Sequence, residues 1–156
     1  NQHDDMYQIF PKVLEADAIL LASPVYFTRL SGYMANMLDR LRCLGHGNHY
    51  HRALKGKVGG GLVVSWFRNT GTETALLSLL GAFMASGMTV VSPGLGLGSP
   101  LGAIGLSSEG GEGKFDPKER LGVLKDEYGL ASAQQIAREA VDMARVVKAG
   151  QRALKG

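Results

Sequence analysis

The stretch Ala18-Ile19-Leu20-Leu21-Ala22-Ser23-Pro24-Val25-Tyr26-Phe27 is the clearest indication of architecture in this 156-residue chain. Its apolar half predicts a strand buried on both faces, because a half-buried strand would alternate with polar residues. Pro24 has no backbone N–H and favours an extended Ser23, so we expect the strand to end at Ser23. The aromatic residues Tyr26 and Phe27 then follow the carboxyl end of a central strand, where open α/β sheets bind their ligands.

The composition is that of one globular domain, with 45% hydrophobic and 20% charged residues. The net charge of +3 comes from scattered and terminal basic residues, a pattern that argues against a nucleic-acid partner. Cys43 is the only cysteine, which excludes an internal disulfide and fits a reducing compartment. The sequence contains no apolar run of membrane-spanning length and opens with no signal-peptide pattern, so we expect a cytoplasmic protein without a membrane span.

Strands and helices are predicted to alternate along the chain. The strands are expected at residues 18–23, 58–65 and 88–92. The amphipathic helices are expected at residues 4–16, 31–44, 70–87 and 132–149. This alternation predicts an α/β fold with a parallel sheet and right-handed crossovers.

Capping residues mark the predicted helix starts. We expect Ser31 to cap the second helix, and capping boxes to form between Thr70 and Glu73 and between Ser132 and Gln135. Residues 93–117 are predicted to be one long glycine-rich loop. A loop of that length in so small a domain indicates either a function or a covering subunit.

Several short motifs together carry a resemblance to a known family: Ser23-Pro24-Val25-Tyr26-Phe27, Asp39-Arg40, residues 65–73, Asp4-Asp5-Met6 and Gly87-Met88. They resemble the flavodoxin-like NAD(P)H-dependent FMN reductases, and most closely the iron-sulfur flavoprotein and multimeric flavodoxin branch. The resemblance implies a three-layer α/β sandwich whose parallel sheet has the order 2-1-3-4-5. Within that order, the three strands predicted here take positions three, four and five.

The same resemblance implies that the family's first two strands and its phosphate-binding loop would precede Asn1. We therefore expect residues 1–156 to form a single flavodoxin-like domain whose N-terminal part is missing, and to bind FMN poorly by themselves. A genuinely short chain is the alternative. In the iron-sulfur relatives a cysteine cluster lies just upstream of the position of Asp4, so an iron-sulfur cluster is expected only if its ligands precede Asn1.

Two loops would hold the flavin by resemblance. They comprise Ser23, Pro24, Val25, Tyr26 and Phe27 in one loop, and Ser65, Trp66, Phe67, Arg68, Asn69, Thr70 and Gly71 in the other. Backbone N–H groups would face the pyrimidine edge of the isoalloxazine ring and stabilise the charge that develops on reduction. The alternatives are core packing for Tyr26 and Phe27, packing against a second subunit for Trp66 and Phe67, and a solvated loop position for Arg68.

The histidines His46, His49 and His51 share one polar loop, but their spacing matches no common zinc pattern, so we expect no metal site. The resemblance implies an FMN-dependent NAD(P)H oxidoreductase that forms a homodimer or homotetramer. Electrons would pass through the bound flavin to an acceptor such as a quinone or an electron carrier, with no dedicated catalytic side chain. Two alternatives stay open: an FMN electron-transfer protein that does not oxidise NAD(P)H, and a cofactor-less α/β interaction domain.

Overall fold

A computed structural model describes residues 5–46, 48–97, 99–114, 117–118 and 121–156. The α-helices are α1 (Met6–Glu15), α2 (Gly32–Gly45), α3 (Thr72–Ala85) and α4 (Glu127–Ala153). The strands are β1 (Ala18–Tyr26), β2 (Arg29–Leu30), β3 (Val58–Ser65), β4 (Thr89–Val90) and β5 (Ala103–Leu106). Short 3-10 turns lie at Leu95–Leu97, Glu109–Gly111 and Gly122–Lys125.

Strand β3 is the centre of a mostly parallel sheet. Strand β1 runs parallel to it along one edge, from the Ala18–Val58 pair to the Pro24–Val64 pair. Strands β4 and β5 both run parallel to β3 as well, and therefore share its other edge. They lie one after the other along the same edge of β3, and residues 91–102 separate them in the sequence. The predicted α/β class with a parallel sheet is confirmed.

Two hydrophobic cores lie on opposite faces of the sheet. One brings together side chains of α1, α2 and α3, including Phe10, Leu41 and Leu79. The other packs Ile136 and Ala140 of α4 against the opposite face. The result is a three-layer arrangement with helices on both sides.

Glycines in β3 allow both helix layers to approach the sheet closely. A Cβ atom at Gly59 would lie 2.6 Å from the ring of Phe83 in α3. A Cβ atom at Gly60, on the other face, would lie 3.2 Å from Ile136 in α4. The Val58-Gly59-Gly60-Gly61 sequence is therefore a packing requirement at the centre of the sheet.

Two predictions about the first strand are wrong. Pro24 does not end it, since β1 continues to Tyr26 and pairs with the antiparallel strand β2. A proline is tolerated in a strand where its nitrogen does not face a paired neighbour. The strand is also not buried on both faces: Leu21 is buried whereas Leu20 is 39% exposed, because α4 lies mainly over β3 and β5.

The predicted long loop and the predicted start of the last helix are also wrong. Residues 93–117 contain β5, which pairs with β3 through four residues. Helix α4 begins at Glu127, and Ser132 lies fully buried inside it instead of forming a capping box. The cap is Asp126, whose Oδ1 accepts a 2.9 Å hydrogen bond from the backbone N–H of Gly129.

Of the other two predicted helix caps, one is confirmed and one is wrong. The prediction for α2 is confirmed, since the Ser31 hydroxyl accepts a hydrogen bond from the Met34 backbone N–H. The capping box at α3 does not form, because Gly71 occupies the cap position with a left-handed φ of 88°. Across the described ranges, no helix has an apolar segment long enough to cross a lipid bilayer.

Candidate functional site

The carboxyl ends of β1, β3 and β5 meet at one edge of the sheet. The turn at residues 27–28 follows β1, the loop at residues 66–71 follows β3, and residues 107–126 follow β5. Parallel sheets place their ligands at this edge, because the loops converge there. The two segments that the sequence predicted to bind flavin are therefore neighbours in the fold.

The turn between β1 and β2 is strained. Phe27 and Thr28 have φ values of 47° and 63°, the left-handed conformation of a two-residue type I′ turn. Asn-Gly is the preferred sequence for such a turn, and a β-branched residue is unusual in this conformation. Strain of this kind concentrates at functional sites. Here it presents the Phe27 side chain to solvent, 96% exposed, at the ligand edge.

The hydroxyl groups of the predicted flavin loops point into the protein. The Ser23 hydroxyl donates to the Pro24 carbonyl at 2.8 Å and accepts from the Ser31 backbone N–H at 3.2 Å. The Ser65 hydroxyl donates to the Phe67 carbonyl at 2.7 Å and lies 2.5 Å from the Thr70 hydroxyl. These side chains hold the loops in shape through bonds within the protein.

The two loops touch at Gly71. A Cβ atom at this glycine would lie 2.6 Å from Thr28 Cβ and 2.7 Å from the Thr28 carbonyl oxygen. Asn69, two residues earlier, also has a left-handed φ, of 52°. The 69–71 backbone thus turns sharply against the 27–28 turn, and only a glycine fits at the contact.

Aromatic side chains dominate the exposed surface of this edge. Tyr26 is 59% exposed, and Trp66 and Phe67 are each 44% exposed, with the centroids of the latter two rings 5.2 Å apart. Phe67 is backed by Gly113, where an added Cβ atom would overlap the Phe67 ring. Pro24, Arg68 and Asn69 are also exposed, while Val25, Thr70 and Gly71 are half-buried.

Residues after β5, which the sequence did not predict, brace the second loop. The Arg68 backbone N–H donates to the Gly111 carbonyl at 3.1 Å, and the Ser108 hydroxyl donates to the Trp66 carbonyl. The same hydroxyl accepts from the Gly113 backbone N–H at 2.9 Å. The short apolar run Ala103-Ile104-Gly105-Leu106 was the available signal for this additional strand and the bracing residues after it.

A cavity of about 930 Å³ opens on the β5 side of the second loop. Its walls include Trp66 and Arg68, the segment after β5, and the start of α4 at Asp126 and Tyr128. Lys114, which lines the cavity, forms a 2.6 Å ion pair with Glu112, and the hydrogen bond between them lowers the pKa of Glu112 and raises the pKa of Lys114.

The histidine loop offers no assembled metal site. Within the ranges that the structure describes, no group of three or more His, Cys, Asp or Glu side chains could hold a metal ion. The His49 ring packs edge-on against Tyr50, with centroids 4.7 Å apart.

Comparison with solved structures supports the fold class. A TM-score of 0.69 relates the chain to RosB with bound 8-demethyl-8-formylriboflavin-5'-phosphate, at 17% identity, covering 97% of this chain and 55% of RosB. The flavodoxin WrbA-like protein of Agrobacterium tumefaciens gives a TM-score of 0.59 at 19% identity, covering 86% of this chain and 72% of that protein. At these identities the likeness shows the fold alone, which is flavodoxin-like.

Sequence comparison shows the family to which the chain belongs. The chain is 32% identical over 152 residues to an iron-sulfur flavoprotein of Archaeoglobus fulgidus, covering 95% of this chain and 69% of the relative. It is 31% identical to an NAD(P)H dehydrogenase (quinone) of Bradyrhizobium sp. (strain ORS 278), covering 69% of this chain and 57% of the relative. A family model described as NADPH-dependent FMN reductase matches residues 1–99. This match spans more than half of the chain, which therefore belongs to the NADPH-dependent FMN reductase family.

Proposed function

We propose that the protein is an FMN-dependent oxidoreductase that takes electrons from NAD(P)H and passes them to an acceptor such as a quinone or an electron carrier. One observation carries this proposal. Of the two loops that the sequence resemblance assigns to the flavin, the second contacts, through Gly71, the residue Thr28 that directly follows the first, at the ligand-binding edge of a flavodoxin-like sheet.

The aromatic rings and backbone groups exposed at this edge are suited to binding a flavin. Tyr26, Phe27 and Trp66 provide exposed ring faces for a flat heterocycle. The inward-facing hydroxyls of Ser65 and Thr70 shape the backbone beside them, so that N–H groups of the loop could face a polar ring edge. When bound, FMN would supply the redox chemistry, accepting two electrons and a proton from the nicotinamide donor and returning electrons to the acceptor.

The roles of the chain's own residues in this proposal are positioning and exclusion of water. The strained turn presents Phe27, and the contact between Gly71 and Thr28 fixes the distance between the loops. Hydride transfer to a flavin requires no protein acid or base, so we assign no catalytic side chain.

The proposal also includes the oligomeric state and cellular location of the protein. We infer a cytoplasmic homodimer or homotetramer with one flavodoxin-like domain per subunit, since exposed aromatic rings at a ligand edge suit coverage by a neighbouring subunit. Cys43 is the only cysteine in residues 1–156, so an iron-sulfur cluster would need ligands outside this segment.

Titration of the full-length protein with FMN tests the site. Quenching of flavin fluorescence gives the dissociation constant for the wild type, for Phe27→Ala and for Trp66→Ala. Loss of a ring contact is expected to weaken binding by about three- to tenfold. Leu154→Ala is the matched control, because Leu154 is 91% exposed at the far end of α4. Wild-type affinity in both aromatic variants would contradict the assignment of these rings.

A further inference from the structure

We propose that a cavity of about 350 Å³ between the carboxyl-terminal ends of α2 and α3 binds a free α-amino acid with an apolar side chain. The cavity lies at the amino-terminal end of the sheet, since Ile19 near the start of β1 and Met88 just before β4 both line it. The proposed flavin edge lies at the opposite end of the same sheet. This inference therefore goes beyond the flavin chemistry and does not depend on it.

The floor of the cavity is apolar and reaches the main hydrophobic core. Side chains of β1, α2, α3 and the segment between α2 and β3 form it: Ile19, Leu38, Leu41, Leu54, Phe83 and Met88. Ile19 and Leu21 face the same side of β1, yet Leu21 is buried whereas Ile19 is half-buried and lines the open space. An apolar space of this size suits a branched aliphatic or aromatic side chain.

Backbone contacts fix the shape of the cavity. The ends of α2 and α3 meet at Gly45, where a Cβ atom would lie 3.3 Å from the Ser86 Oγ atom. The segment after α2 folds back on itself, since the Arg52 backbone N–H, at a left-handed φ of 59°, donates to the His46 carbonyl at 3.1 Å. This turn keeps His46 at the mouth and Leu54 in the floor. The space is thus preformed, as small-molecule sites usually are.

The mouth of the cavity carries both signs of charge. Asp39 and Arg42 both line it and are exposed, and they are neighbours on α2 because they lie three residues apart. In the part of the chain that the structure describes, neither side chain takes part in a salt bridge. An anionic and a cationic group of a ligand could therefore both be paired at this opening.

A zwitterion with an apolar side chain matches the floor and the mouth together. Its carboxylate would pair with Arg42 and accept a hydrogen bond from the His46 ring, and its ammonium group would pair with Asp39. The partial negative charge at the carboxyl-terminal ends of α2 and α3 also favours an ammonium group. A simple apolar carboxylate would leave Asp39 without a partner, and a simple apolar amine would leave Arg42 without one.

Isothermal titration calorimetry of the full-length protein tests the ligand class. The probe is L-leucine, compared with two analogues that each lack one charged group: 4-methylpentanoate has no ammonium group, and 3-methylbutan-1-amine has no carboxylate. We expect saturable binding of L-leucine and about three- to tenfold weaker binding of each analogue. Glycine, which has both charged groups but no apolar side chain, should not bind.

Two exposed substitutions test the position of each charged group. Arg42→Met should weaken binding of L-leucine and of 4-methylpentanoate by about three- to tenfold without weakening that of the amine. Asp39→Asn should weaken binding of L-leucine and of the amine without weakening that of 4-methylpentanoate. Arg145→Met and Asp142→Asn are matched controls, because these two residues have the same spacing on α4 and lie outside the cavity. Neither control should change any of the affinities.

Three results would overturn the inference. Absence of saturable L-leucine binding would exclude the site. Equal affinities for L-leucine and either analogue would exclude an amino acid as the ligand class. Wild-type affinity for L-leucine in both Arg42→Met and Asp39→Asn would place the bound amino acid outside this cavity.

Discussion

Replacement of Gly71 by alanine is expected to push apart the two loops of the proposed flavin site. This glycine has a φ of 88°, and its Cβ position lies 2.6 Å from Thr28 Cβ and 2.7 Å from the Thr28 carbonyl oxygen. An added methyl group would have to move backbone as well as a side chain, because the carbonyl oxygen is part of the strained turn. We therefore expect Gly71→Ala to weaken both the fold and flavin binding.

The destabilisation has two sources. A left-handed φ at a residue with a side chain costs about 1–2 kcal/mol. Overpacking against fixed neighbours adds about 1–3 kcal/mol. Gly94 is a matched control, since its φ is 83° but its Cβ position has no atom within 4 Å. Gly94→Ala should therefore show the conformational cost alone, and the difference between the variants measures the contact.

Urea unfolding of the full-length protein and titration with FMN provide the two readouts. Gly71→Ala should lose about 1–3 kcal/mol more than Gly94→Ala in the free energy of unfolding. It should also weaken FMN binding by about tenfold or more, while Gly94→Ala should not. Equal unfolding free energies and equal FMN affinities in the two variants would refute the contact between the loops.

Three further outcomes are expected. Thr28→Gly should stabilise the protein by about 0.5–1 kcal/mol in urea unfolding, because glycine tolerates the left-handed turn; destabilisation would contradict the type I′ geometry. Asp126→Ala should cost about 1–3 kcal/mol by removing the α4 cap and the bond to β5, and unchanged stability would argue against both bonds. The hydrogen bond from Lys148 lowers the pKa of Asp17, so the pair stabilises the fold above the ordinary pKa of Asp17, and that contribution is lost as the pH falls through the lowered value. Lys148→Met should flatten this acid dependence of the urea midpoint, and an unchanged pH profile would exclude the pair.

The sequence predicted the architecture where local signals and tertiary packing agree. The apolar residues of β1, the glycine-rich start of β3 and the cap at Ser31 all lie where the sequence placed them. The strand order then located the ligand edge, because the carboxyl ends of parallel strands meet there. This part of the site could be predicted from the order of elements alone.

The missed features depend on contacts between distant residues. Strand β5 has four residues, and its pairing with β3 is not visible in a local pattern. Asp126 caps α4 and also bonds to Leu106, so its position depends on β5 as much as on its own helix. The inward orientation of the Ser65 and Thr70 hydroxyls likewise depends on how the loop closes, which spacing does not reveal.

Anaerobic reduction of the FMN-loaded, full-length protein by NADPH tests the central claim most directly. We expect flavin absorption in the purified protein to bleach on addition of NADPH and to return when a quinone is added. A flavin band that does not bleach would contradict oxidation of NADPH and leave an electron-transfer flavoprotein. A colourless protein that does not take up FMN would contradict the flavin site itself.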